Sequence, residues 1–214
     1  MEYSNVMVKP GSVEQRIQDA AMRLFAASGA TQLTVSDLAE AAGVARGTVY
    51  NNVESPEALL GRIAADLGRE MHARTQASFG GVDDPALRLS MGIRFFLRRA
   101  YEEPHWGRFL CRFALTERSL QVLWSGGAME DVQSVVARGR AQARPDQLAV
   151  AMAVLAGAVL SCCVLVLDGH RTWRDAGSDA AELVLRALGV PEAEALRLAT
   201  GELPSLSPGE ETPA

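Results

Sequence analysis

The chain is poor in the features that would staple, export or arm it. Its three cysteines, Cys111, Cys162 and Cys163, are odd in number and lie in apolar surroundings. Two of them are adjacent, too close for an ordinary bridge, so no disulfide framework is expected and a reducing cytoplasm fits. A thiol sensor at Cys162-Cys163 is the reactive reading; packing is the other, because an apolar setting raises a thiol's pKa and blunts it. At the N-terminus no basic segment precedes an apolar one. Met1 to Ser12 is short, mixed and mildly polar, and reads as a disordered arm rather than a signal peptide. The histidines His72, His105 and His170 are scattered, without Cys, Asp or Glu beside them at zinc-ligand spacing. Gly80-Gly81 and Gly126-Gly127 read as simple breakers, and neither a phosphate loop nor a nucleophile elbow is present. No enzyme, metal site or cofactor is expected.

Positive charge is scarce as well. The net charge is −5, and residues 1–62 hold five cations (Lys9, Arg16, Arg23, Arg46, Arg62) against seven anions. Binding to nucleic acid normally needs a cationic footprint. Any affinity for DNA must therefore rest on placement: backbone amides at helix N-termini, hydroxyls, and one or two arginines.

What the chain does have is helical periodicity. With 214 residues, 48% of them hydrophobic, it can bury one medium core, or a small head joined to a larger body. Pro56, Pro85, Pro104, Pro145 and Pro191 each stand where an apolar-periodic run begins, the helix position where a missing N–H costs nothing. No strand pattern appears, and the expected fold is all-α. A first helix is predicted from Ser12 to Ser28, with Ile17, Ala20, Ala21, Leu24 and Phe25 on one face and Gly29 as its C-cap. Two short helices follow. Longer ones are predicted from Pro56 to Phe79 and from Pro85 to Glu102, and further ones over Pro104–Leu123, Met129–Ala143, Pro145–Leu167, Asp179–Leu188 and Pro191–Thr200. The expected organisation is an arm over 1–11, a helix-turn-helix domain over 12–60, a helical dimerisation and ligand-binding domain over 61–200, and a disordered tail over 201–214, whose end is rich in Pro, Ser and Glu.

The stretch from Thr34 to Asn52 has the internal logic of a helix-turn-helix. Thr34 can N-cap the second helix, Ala39 is small where two helices must cross closely, and Gly43, four residues on, can take the positive φ of a tight turn. Val44, Val49 and Val53 then face inward. Ala45, Arg46, Gly47, Thr48, Tyr50, Asn51 and Asn52 are left on the outer side and N-terminus of the third helix, the part that enters a major groove. By spacing alone an ordinary pair of packed helices fits equally well.

The wider run adds Ala21-Met-Arg-Leu-Phe25, Ser28-Gly29, Leu33-Thr34-Val35, Leu38-Ala39, Ala42-Gly43-Val44, Gly47-Thr48-Val49-Tyr50 and Glu57-xx-Leu60. From Arg16 to Leu60, about a fifth of the chain, it resembles the DNA-binding domain of the TetR family of bacterial transcriptional regulators. The resemblance implies that Thr48, Tyr50 and Asn52 contact phosphates, while Ser36, Ala45, Arg46 and Asn51 lie nearest base edges. Arg46 is the only cation on the third helix, and its guanidinium can meet guanine O6 and N7 bidentately. Tyr50 can instead be mainly a packing element with its hydroxyl at the rim.

Leu148 to Leu167 holds Ser161 as its only conventional polar side chain, a length sufficient to span a bilayer, with Arg144 and Arg171 as flanking anchors. Ala149, Ala153, Gly157 and Ser161 recur every four positions, a smooth ridge that also allows another helix to approach closely. The resemblance favours the second reading: a homodimer through helices near 145–167 and 179–188, in the cytoplasm and off the membrane, on a pseudo-palindromic double-stranded DNA operator. The alternative is a membrane-anchored helix-turn-helix protein with 148–167 in the bilayer.

Aromatic, Met and Cys residues gather between Met91 and Met129, many at helical spacings. One reading is plain core. In the other, Phe95, Tyr101, His105, Trp106, Phe109 and Trp124 line an apolar cavity for a small-molecule effector. Such an effector would release the protein from DNA by binding better to the conformer whose recognition helices are misplaced, with the helix from Pro56 as the link.

The sequence departs from the family pattern in two places: Val53 replaces a more usual Phe, and Pro56 stands where a phosphate-contacting Lys is common before Glu57. Pro56 suits the first position of the fourth helix, but one ionic contact is lost. The salt dependence of operator binding is therefore expected to be shallower than in a lysine-bearing relative. Affinity titrated against salt checks this, and a steep slope of many phosphates contradicts it.

Overall fold

The computed structural model describes residues 12–28, 33–140 and 142–207, and among them every regular element is helical. The expected arm over 1–11, the Gly29 C-cap and the end of the tail lie outside the described residues. The chain divides into two units, one up to Ile63 and one from Ala64 onward.

The first unit holds α1 (Val13–Ser28), α2 (Val35–Ala42), α3 (Arg46–Asn52) and the start of α4 (Pro56–Ser78). Ser12 accepts the Gln15 amide at 3.2 Å and so opens α1. Ile17, Ala20, Ala21 and Phe25 are buried on α1, as are Leu38, Ala39 and Ala42 on α2, Val49 on α3, and Leu59, Leu60 and Ile63 on α4. The periodic apolar face of α1 thus becomes the floor of a small core to which all four helices contribute. Leu24 is only half-buried, at the edge of that face.

The second unit is built around α5 (Pro85–Glu102), which packs against α6 (Pro104–Phe113), α8 (Gly127–Ala137), α9 (Leu148–Leu167), α10 (Trp173–Ala187) and α11 (Glu192–Thr200). Asp84 caps α5 by accepting the amides of Ala86 and Leu87, and Pro85 follows at its first position. Arg140 pairs with the same Asp84 and with Glu194, joining the start of α5 to α11.

Several boundaries differ from the periodicity-based ones, each for a local reason. The helix expected over Pro104–Leu123 stops at Phe113, whose carbonyl accepts the amides of Thr116 and Glu117 at 3.1 and 2.8 Å. Glu117 then caps a 3-10 turn over Arg118–Leu120, and the short α7 (Val122–Ser125) follows. α8 ends at Ala137 because Gly139 turns at φ 67, and the amides of Gln142 and Ala143 leave for the Leu188 carbonyl at the end of α10. α10 starts at Trp173, not Asp179: the Thr172 side chain accepts the Asp175 amide at 3.1 Å, a threonine cap hidden behind a polar stretch. The segment over 201–207 is not a free tail. Leu206 is buried, the Ser207 amide donates to Ser78 Oγ at 2.7 Å, and Arg74 Nε donates to the Ser207 carbonyl at 2.9 Å. One apolar anchor and two hydrogen bonds suffice to dock this short strap along α4.

A single charged side chain stands at the centre of the joint between α4, α5 and α6. Arg99 is 2% exposed. Its guanidinium donates to both Glu70 oxygens at 2.9 Å and to Glu103 at 3.0 Å, and lies 4.5 Å from the Trp106 ring centroid. Arg74 reaches the same two carboxylates. A guanidinium tolerates burial only when its fork is filled in this way. Both glutamates are partly exposed, so screening tempers the loss when Arg99 is removed. Arg99→Met is expected to lower stability by about 1–3 kcal/mol, read as a reduced urea midpoint at unchanged slope; an unshifted midpoint contradicts the assignment.

Candidate functional site

The turn between α2 and α3 has the geometry that the spacing demanded. Gly43 takes φ 64, ψ 40, and its amide closes α2 on the Glu40 carbonyl. An L side chain is strained at that φ, and a Cβ there would also meet Arg16 Nη2 at 3.0 Å. Arg16 occupies the space because it donates to the carbonyls of Ala42 and Gly43, each at 2.7 Å, capping the negative end of α2. At the other end Thr34 and Asp37 form a reciprocal box: Thr34 Oγ1 accepts the Asp37 amide at 3.2 Å, and Asp37 accepts the Thr34 amide at 3.0 Å. The Thr34 hydroxyl and amide hold the Asp37 carboxyl below its ordinary value.

With both ends of α2 fixed, α3 is held by Val49, fully buried, and Val53; Val44 is half-buried. Ala45, Arg46, Gly47, Tyr50 and Asn51 are exposed on its outer side, Tyr50 to 68%. Arg46 makes no hydrogen bond or ion pair within the described residues, so its fork is open to an external acceptor. Thr48 and Asn52 are half-buried; Asn52 Nδ2 donates to the Thr48 carbonyl at 2.7 Å, and Arg62 donates to the Asn52 carbonyl at 3.1 Å. Ser36 is half-buried, and Thr34 is exposed but committed to its cap. Tyr50 is thus no packing element, while the amide N–H of Asn52 already has an internal acceptor.

The second unit contains a cavity of about 60 Å³ between α4, α5, α7, α8 and α9. Met71, Phe79, Leu89, Ile93, Phe96, Leu123, Leu155 and Val159 supply its apolar wall. Gly92 on α5, which has open space where a Cβ would stand, and Gly127 and Ala128 at the start of α8 keep it unfilled. Three buried polar atoms on its wall have no hydrogen-bond partner: Trp124 Nε1, Thr75 Oγ1 and Arg88 Nε. Each costs free energy until something donates or accepts there. Arg88 and Asp131 form an ion pair at the same wall, Nε to Oδ1 2.9 Å, although that N–H is not aligned along the contact. The other arm of Arg88 reaches Gln76 at 3.2 Å, and its guanidinium lies 4.5 Å from the Phe79 centroid. Burial pushes the Asp131 carboxyl up to about 6, against the pull of Arg88.

Of the aromatic residues proposed from sequence to line a cavity, Trp124 alone does so. Phe95, Trp106 and Phe109 are buried elsewhere in the core, Trp106 beneath Arg99. Tyr101, 59% exposed, and His105 lie on the surface, because the joint between α5 and α6 turns them outward.

The family model described as "Tetracyclin repressor-like, C-terminal domain" matches residues 84–200, more than half of the chain, and that of "Bacterial regulatory proteins, tetR family" matches residues 17–63. The chain belongs to the TetR family. An uncharacterised HTH-type transcriptional regulator of Mycobacterium tuberculosis, found in two strains, is 36% identical over 93 residues. That match covers 42% of this chain and 44% of the relative, so the chain spans less than half the length of the curated relatives it matches. Among solved structures, RolR in complex with its ligand resorcinol is 25% identical, with TM-score 0.70, over 91% of this chain and 96% of that one. A TetR-family regulator from Shewanella sp. PV-4 shares the fold at TM-score 0.73 and 21% identity, covering 85% of this chain and all (100%) of that one.

In this TetR-family chain every lining residue but Trp124 was missed from sequence, among them His72, Thr75 and Gln76 on α4, Arg88, Gly92 and Phe96 on α5, and Asp131 on α8. Two signals pointed to them: a glycine inside a strong helix, and charged residues on otherwise apolar faces. The buried Asp131 carboxyl makes stability depend on pH. Folding favours its protonated form, so this contribution to stability is complete below 3.8 and lost as the pH rises through about 6. In urea titrations across that window, Asp131→Asn is expected to abolish the corresponding fall in stability. Parallel pH profiles for the two proteins would contradict the assignment.

Proposed function

We propose that the chain is a one-component transcriptional repressor. It acts in the cytoplasm as a homodimer that binds a pseudo-palindromic operator and leaves it when a small molecule fills the cavity. The observation that carries the DNA half is α3, which presents Ala45, Arg46, Gly47, Tyr50 and Asn51 outward from a buried Val49, with Arg46 unpaired. Its free N-terminus adds amides for phosphate.

Support for the dimer comes from α9. Its inner face, including Met152, Leu155, Val159 and Cys163, is buried, while Val150, Val154, Val164 and Leu165 are exposed beside Ala149, Ala153 and Ser161. Leu183 on α10 is exposed as well. The segment Pro145–Leu167 is long and apolar enough to cross a bilayer, yet a helix with one face in a protein core and a smooth ridge on the other suits helix pairing better. Two such recognition helices would meet half-sites about one helical turn apart, or a multiple of it.

The effector reading rests on Trp124 Nε1 and Thr75 Oγ1. A ligand that satisfies them carries a hydroxyl or similar group on a small apolar body, and the cavity's size favours one ring over an extended chain. RolR, similar across nearly the whole chain, holds resorcinol, a ligand of that kind. α4, which carries residues of both units, is the proposed route by which occupancy reaches α3.

Selection of bound fragments from random duplex DNA by the purified protein is the test. Enrichment of a two-fold symmetric motif is expected, and Arg46→Ala should cost about 1–3 kcal/mol while relaxing preference at one base pair per half-site. No enriched motif would falsify the DNA half. A complex that resorcinol and related phenols leave intact overturns the effector half alone.

A further inference from the structure

A second arginine on α5 lacks what Arg99 has. Arg94 is only 9% exposed, yet its Nη1 has no hydrogen-bond partner and no carboxylate pairs with it. Burial pushes its guanidinium below the ordinary value, with no partner charge to offset the loss of water. An arginine does not escape by losing its proton, so its buried Nη1 calls for an acceptor, and an anion answers the charge as well.

The surroundings are built to admit one. Arg94 lines an open cleft of about 340 Å³ together with Arg98, Trp173, Arg174, Ser178, Thr200, and the segment Gly201–Leu203. Gly177 makes room for it: a Cβ there would stand 3.3 Å from Arg94 Cγ, so the arginine stem passes closely between α5 and α10. Trp173 orders the other two guanidiniums, with Arg174 at 4.3 Å and Arg98 at 5.5 Å from its ring centroid. Arg98 is partly engaged, by Glu102 at 2.8 Å and the Pro204 carbonyl at 3.3 Å. Arg174 is exposed and has only the ring. The one acid on the wall, Glu202, is exposed and pairs with none of the three. This cleft is separate from the cavity of the proposed effector. Arg88, Leu89, Gly92, Ile93 and Phe96 line that one, whereas Arg94 and Arg98 leave α5 roughly half a turn away, about 200° around the axis from Gly92 and Phe96.

We infer that the cleft between α5, the start of α10 and the segment after α11 is a binding site for a small oxyanion, a carboxylate or a phosphate, held by Arg94, Arg98 and Arg174. Guanidinium forks fit both groups bidentately, and the hydroxyl of Ser178 stands on the same wall to complete the shell, whereas that of Thr200 already donates to the Leu196 carbonyl at 2.8 Å.

The site is tested by calorimetric titration of the full chain with inorganic phosphate and, separately, with benzoate, at ionic strength held constant with chloride. At least one is expected to bind at one site per chain, and the tighter of the two names the source chemistry. Arg94→Met should weaken that binding by about tenfold or more and raise the thermal midpoint of the unliganded protein, since a buried unpaired charge is removed. Arg174→Gln, an exposed change that leaves the core alone, should weaken it severalfold and keeps the test available if Arg94→Met does not fold. Failure of both anions to bind the unaltered chain overturns the inference, as does binding that neither substitution changes. If the cationic cleft is instead neutralised by an acid of this chain or of a second copy, the first of those results follows. None of these readouts depends on DNA.

Discussion

The burial of Arg99 constrains the second unit more than any apolar contact does. A hydrophobic side chain can shift by an ångström and lose little, but a guanidinium at 2% exposure must keep its acceptors within hydrogen-bond reach. Glu70 fixes α4 against α5, Glu103 fixes the turn into α6, and Trp106 closes the open face. Arg74, drawn to the same carboxylates, then holds the strap at Ser207. The turn that turns Tyr101 and His105 outward is the turn that brings Glu103 inward. The location of the aromatic residues is therefore a consequence of charge satisfaction, not of hydrophobicity alone.

This explains why the two units were unequally legible. The helix-turn-helix is a local device: Thr34 and Asp37 are three residues apart, Gly43 ends the same helix, and Val49 and Val53 complete one face within a single turn. Short-range rules cover every part of it. Only the role of Arg16, which reaches back to the α2 carbonyls from another helix, escaped them. The cavity is non-local. Its wall draws on α4, α5, α7, α8 and α9, and no periodicity within one helix tells which stripe will meet which. Phe95 and Phe96 are neighbours in sequence, yet the first is in the general core and the second on the cavity wall. The start of α10 was missed because its signal is the Thr172 side-chain cap and not a proline, while α7 and α8 begin with neither signal.

The scarcity of cations in the first unit is sharper in three dimensions than in sequence. Of its arginines, Arg16 is committed to the end of α2 and Arg62 to the end of α3, both in hydrogen bonds to backbone carbonyls. These contacts stabilise the motif by placing positive charge at helix C-termini, and they draw on the same side chains that would otherwise provide a non-specific footprint. Arg23, exposed on α1, and Arg46 remain, the latter at the N-terminus of α3, where the helix dipole already favours an anion. A head arranged in this way gives up long-range attraction and relies on the few groups that read position and base.

The contrast between Arg94 and Arg99 is then informative as physics and not only as description. They lie five residues apart on one helix and are comparably buried, but one has two carboxylates and an aromatic face while the other has none. Gly177 lets α10 pack closely against the Arg94 stem, since a Cβ there would stand 3.3 Å from Arg94 Cγ. A glycine that leaves the stem room, a tryptophan that aligns two further guanidiniums, and an acid that stands by unpaired are the arrangement expected where charge is stored for a ligand. α5 is the helix at which both openings begin, the mainly apolar cavity on one side and the cationic cleft on the other. An occupant of either opening would bear on the same helix, which packs against both α8 and α10.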